Sequence, residues 1–138
     1  MPHSSSFSTL TGGVGAGGSI HMKAVEVEEY IVSKAGPKGG DEGFRWGAPG
    51  VEVRGVLVSW MATLEAIERA AAEGCNVMVV HEDVFFPYES RGRPEEWMTW
   101  GPNRARLGRL ADCGVTVMRA HGMLDRLCVL DDFAEQLG

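Results

Sequence analysis

A chain of 138 residues is long enough for one domain with a sizeable core and short for two. Its net charge of -6 and pI near 5.2 argue against the concentrated basic face that holds phosphate backbones, so nucleic acid is not an expected partner. Hydrophobic residues make up 44%, but no apolar run approaches the roughly 18 residues that span a bilayer, so no membrane segment is expected either.

Residues 1–21 are rich in Ser and Gly and lack periodicity, which predicts a flexible, tag-like stretch outside the fold, with Met22 opening a single domain over 22–138. His3 and His21 fall in that stretch and are set aside. The run GGVGAGGS has no strand before it and no Gly-Lys-Ser/Thr, so it is not a phosphate loop. The first residues lack the basic start and apolar centre of a secretory signal.

From Met22 the pattern alternates. Val25 to Lys34 predicts a short helix with Val27, Tyr30 and Ile31 apolar, stopped at Gly36-Pro37. Lys38 to Gly50 is a Gly/Pro-rich loop. Val53 to Trp60 is a continuous apolar strand. Thr63 caps a helix over Leu64 to Glu73, with Leu64, Ile67 and Ala71 on one face and Gly74 as its stop. Asn76 to Val80 is a second strand, Pro87 to Pro102 a long aromatic loop, Asn103 to Asp112 a third helix stopped by Gly114, and Val115 to Ala120 a third strand. Leu130 to Leu137 is a last short helix. This βαβ order predicts an α/β fold with a mainly parallel sheet and right-handed crossovers. Parallel strands are buried on both faces, which suits their unbroken apolar runs.

In open α/β sheets, ligands bind beyond the carboxyl ends of the strands. Two such ends carry unusual chemistry. VMVV runs into His81, Glu82 and Asp83; the third strand runs into His121, with Asp125 four residues on. If the two strands are neighbours, about 4.8 Å apart, His81, Glu82, His121 and Asp125 converge on one pocket. Imidazole and carboxylate together form a ligand set for zinc, iron, manganese or nickel. The competing reading is that both histidines merely cap their strands. Asp83 is read as a turn residue. Phe85, Phe86, Tyr88, Trp97 and Trp100 are read as packing or subunit contact, and Arg104, Arg106 and Arg109 as a solvated helix face. Cys75, Cys113 and Cys128 are odd in number and lack C-x-x-C spacing, so each is read as a small hydrophobe in a chain suited to a reducing cytoplasm.

The segment VEVRGVLVSWMATLEAIERAAAEGCNVMVVHEDVFFP resembles the dinuclear metal-centre proteins known as GTP cyclohydrolase 1 type 2 homologues, or Nif-three-like proteins, in which a second strand leads into His-His-Pro. His81 stands at the first histidine, Glu82 at the second and Asp83 at the proline. GVTVMRAHGMLD is similar to the family's Ala-His-Thr-Asn-Leu-Asp signature, with His121 and Asp125 at its histidine and aspartate. DDFAEQLG resembles the helix that follows, and DEGFRWGAPGVEV the family's Asn-x-Gly-Leu-x-x-Gly loop. The resemblance covers Met22 to Gly138 and corresponds to the first half of the family fold; the second half of that fold supplies a further histidine and glutamate to the two metals.

The resemblance implies a divalent-metal protein with His81, Glu82, His121 and Asp125 as ligands, a homo-oligomer (hexameric in the family), and a hydrolase in which the cation activates water. GTP ring opening is the activity the family name implies, but no residue here specifies a purine. A non-catalytic, metal-binding, oligomer-forming interaction module is the alternative.

Overall fold

The computed structural model describes residues 8–10, 21–87 and 95–137. Its strands are β1 (Ser8–Leu10), β2 (Gly43–Trp46), β3 (Val56–Ser59), β4 (Val77–Val80) and β5 (Thr116–Arg119). They form one 5-stranded sheet in the order β1-β3-β4-β5-β2. The chain is α/β, as its alternating pattern predicts, but the sheet is mixed rather than mainly parallel. β3, β4 and β5 pair in parallel, whereas β1 pairs with β3 and β2 with β5 in antiparallel fashion. The reason lies in the connections. Crossover helices join the three central strands, which follow one another in sequence and so pair in parallel, whereas each edge strand pairs with a strand that does not follow it directly in the chain. Strand β1 also falls within 1–21, where the Gly/Ser composition announces no element; Tyr88 and the GGVGAGGS run lie outside the described residues.

The helices are α1 (Ala24–Ala35), α2 (Leu64–Ala72), α3 (Gly101–Cys113), α4 (His121–Leu124) and α5 (Leu130–Leu137), with a π-helical turn over Asp125–Val129 joining the last two. None is long and apolar enough to cross a membrane. Side chains alternate across the strands, so the sheet feeds two apolar layers. Leu57, Met78, Val80 and Val117 pack with Ile67 of α2 and Leu110 of α3 on one face. Val77, Val79 and Met118 pack with Ala24 of α1 and Met123 of α4 on the other.

Local chemistry explains the helix boundaries. Thr63 Oγ1 accepts from Ala66 N at 3.1 Å, the expected cap of α2. The buried face of that helix is Ala66, Ile67 and Ala70; Leu64 and Ala71, expected on it, are exposed. Helix α3 starts at Gly101, two residues before the expected Asn103, because Pro102 suits the first helical turn. Gly114 ends α3 at φ 62, in the left-handed region glycine tolerates. Asn103 is buried and its amide clamps the aromatic loop, accepting from Phe86 N at 2.8 Å and donating to Phe86 O and Trp97 O. Phe85 joins the core, while Phe86 and Trp100 stand exposed. Of the α3 arginines, Arg104 and Arg109 lie exposed on the expected solvated face, Arg109 paired with Glu68 there, whereas Arg106 is half-buried and donates to Val84 O. Cys75 is buried, Cys113 and Cys128 half-buried, and all three are free.

Candidate metal centre

The site is built on strand register. Ser59, Val80 and Arg119 lie side by side at the ends of β3, β4 and β5. Backbone pairing continues one step further: His81 N donates to Ser59 O at 3.4 Å, Glu82 N to Trp60 O at 2.9 Å and Ala120 N to Val80 O at 2.8 Å. Trp60 and His81 are therefore cross-strand neighbours, and their rings stack with centroids 3.8 Å apart and planes 11° from parallel. Beyond Ala120 the chain turns helical, and His121 opens α4. Its ring meets that of His81 edge-on, with centroids 4.8 Å apart. Glu42 holds this short helix in place by accepting from Met123 N at 2.8 Å.

Each histidine stands between two carboxylates. His81 Nδ1 lies 3.0 Å from Glu82 Oε1, and its Nε2 lies 2.9 Å from Asp125 Oδ1. His121 Nδ1 lies 2.9 Å from Asp41 Oδ2, and its Nε2 lies 3.9 Å from Asp125 Oδ2. Arg119, buried at the end of β5, donates through Nε to His81 O at 3.0 Å. Its Nη1 lies 3.3 Å from Asp41 Oδ2, and its Nη2 lies 4.0 Å from Glu82 Oε2. Asp41 is held below the ordinary carboxylate range, first by its hydrogen bond with His121 and further by the charges of Arg119 and His121, against some desolvation.

All four residues singled out by the sequence thus come together. Ligand atoms of His81, Glu82 and His121 lie within 4.8 Å of one another, and Asp125 approaches both imidazoles. The donor set fits a divalent cation by chemistry: two imidazoles and two carboxylates, from groups that ligate first-row metals. A neutral imidazole has one N–H, yet each ring faces carboxylates at both nitrogens. A metal cation at one nitrogen, or a second proton on the ring, resolves that mismatch. Asp83 stays outside the set: its Oδ1 accepts from Val84 N at 2.8 Å and its Oδ2 lies 3.5 Å from Arg45 Nη2, the turn role expected of it.

Four contributors escape a residue-by-residue reading of the sequence: Trp60, Asp41, Glu42 and Arg119. Signals for three of them were present. Asp41 and Glu42 open the loop that resembles the Asn-x-Gly-Leu segment, and Arg119 is a charge inside an otherwise apolar strand.

Comparison with solved structures supports the same architecture. The Staphylococcus aureus protein SA1388 matches with a TM-score of 0.60 at 20% identity, over 78% of this chain and 30% of that one. Reduced HcgD from Methanocaldococcus jannaschii matches with a TM-score of 0.58 at 21% identity, over 77% of this chain and 42% of that one. A Bacillus cereus protein related to NIF3 matches with a TM-score of 0.60 at 20% identity, over 78% of this chain and 29% of that one. The chain shares their fold. It spans less than half the length of each of these chains, so the likeness to the NIF3-related fold concerns one part of them. No protein-family model and no curated protein matches the sequence.

Proposed function

We propose that the protein binds a divalent metal ion at the carboxyl ends of β4 and β5, through His81, His121 and carboxylate from the pair Glu82 and Asp125, and that it belongs functionally with metal-dependent hydrolases of the Nif-three-like kind. The observation that carries this reading is the convergence of two histidines, from two neighbouring parallel strands, on the single carboxylate of Asp125. A bound cation there supplies Lewis acidity and a means of activating water. The protein's own part is to hold both rings in fixed orientation, to shield one side of the site with Trp60, and to bring positive charge close through Arg119. Zinc, iron, manganese and nickel all suit such ligands.

Elemental analysis of the purified, dialysed protein tests this directly. Wild type is expected to retain metal and the Asp125→Asn variant to lose it; equal metal content in both would remove the site. A second reading, a metal-binding module that assembles into rings without turnover, is favoured by exposed Phe86 and Trp100 and by Leu130, Phe133 and Leu137 along α5. Stable homo-oligomers with bound metal and no hydrolysis of nucleotide substrates would select that reading. A reducing cytoplasm, in which the three thiols stay free, suits either.

A further inference from the structure

The metal-binding reading leaves two carboxylates competing for one role, and the geometry separates them. The two nitrogens of an imidazole point away from each other, so a group on Nδ1 does not share a cation with a group on Nε2 of the same ring unless it swings round. Glu82 meets His81 at Nδ1, and Asp41 meets His121 at Nδ1. Asp125 lies on the Nε2 side of both rings, and its hydrogen-bond and ion-pair partners among the described residues are these two histidines. Glu82 and Asp41 have a second partner in common, the guanidinium of Arg119. That charge is buried, with a side chain only 7% exposed, and a buried charge requires paired carboxylates.

We propose that Glu82 and Asp41 are positioning carboxylates rather than metal ligands: each accepts the Nδ1 proton of one histidine, Arg119 clamps both, and the frame turns the two Nε2 atoms toward Asp125. This rests on the metal-binding reading and deepens it. It also gives Glu82 a reason to differ from the histidine that the Nif-three-like motif places at its position. A carboxylate there closes a circuit of His81, Glu82, Arg119, Asp41 and His121 that an imidazole, lacking negative charge, leaves open. The nearness of Glu82 to both histidines follows from its place in that circuit. Carboxylates behind ligating histidines fix the ring tautomer and raise ligand basicity, and their loss costs affinity without removing a ligand.

Cobalt(II) is the probe, because its visible absorption reports the number and type of its ligands while titration reports affinity. Wild type is expected to develop a cobalt band that Asp125→Asn abolishes or reshapes. Glu82→Gln, which keeps an acceptor but loses the charge, is expected to leave the band unchanged and to weaken cobalt binding about tenfold; Glu82→Ala, which loses both, is expected to weaken it toward a hundredfold with the same band. Asp41→Asn, at a half-exposed position that the fold tolerates, is expected to behave like Glu82→Gln. A changed band in Glu82→Gln, or unchanged affinity in both Glu82→Gln and Asp41→Asn, overturns the positioning role while leaving the metal site standing. Absence of any cobalt band in wild type overturns the metal reading itself and this inference with it.

Discussion

The two histidines that face each other across the site are held in opposite ways. His81 extends a central strand whose backbone pairing continues through Glu82, and its side chain is only 6% exposed, flat against Trp60. His121 opens a four-residue helix at the surface, 38% exposed, and owes its place to Asp41 and to the cap supplied by Glu42. One histidine is therefore part of the core and the other is presented by a loop-anchored helix. Fold stability and the geometry of the proposed metal site are coupled at the first and largely separate at the second.

That contrast predicts an order of effects. His81→Ala removes a buried ring with two hydrogen-bonded nitrogens and leaves Trp60 without its stacking partner; a loss of about 2–4 kcal/mol in urea unfolding is expected, together with loss of metal. Trp60→Ala removes the stack and the half-exposed indole while leaving both histidines, and is expected to cost about 1 kcal/mol. His121→Ala is expected to abolish metal binding as fully as His81→Ala yet to cost under about 1 kcal/mol. Equal unfolding free energies for the two histidine variants would break the comparison. The smallest effect belongs to Asp41. Its folded-state pKa lies below the ordinary 3.8, so its stabilisation is present above that pH and is lost as pH falls through the lower folded value. Because half of its side chain is exposed, the difference between wild type and Asp41→Asn is expected to stay below about 1 kcal/mol at neutral pH and to vanish in acid.

Elements that rest on local pattern were legible in the sequence. The apolar runs of β3, β4 and β5, the Thr63 cap and the Gly114 stop each state their structure within a few residues, and the polar residues at the ends of β4 and β5 pointed to the site. What was not legible depends on contacts distant in sequence. Strand β2 lies inside a Gly/Pro-rich loop, and its antiparallel pairing with β5 joins residues more than seventy positions apart, such as Phe44 and Met118. Gly47 shows why that loop reads as irregular yet packs tightly. At φ 86, a Cβ there would come within 2.8 Å of the Thr116 backbone, so the strand leaves the sheet where only glycine fits. Asp41 reaches His121 across eighty residues because β2 follows it onto the edge of the sheet. The i, i+4 spacing of His121 and Asp125 allowed a helical turn there, but its continuation through Val129 was hidden, since the β-branched Val129 gives little intrinsic helix preference.

The row formed by Trp60, His81 and Ala120 is a register, and register makes the site unequally tolerant of genetic change. Substitutions alter chemistry one position at a time and leave the spacing intact. An inserted or deleted residue within β4 acts differently. It moves the strand end by about 3.3 Å and turns His81 to the opposite face of the sheet, away from Asp125. Lineages carrying this site are thus expected to vary in the identity of the outer carboxylates and in loop length, while the count of residues from the first residue of β4 to His81 stays constant.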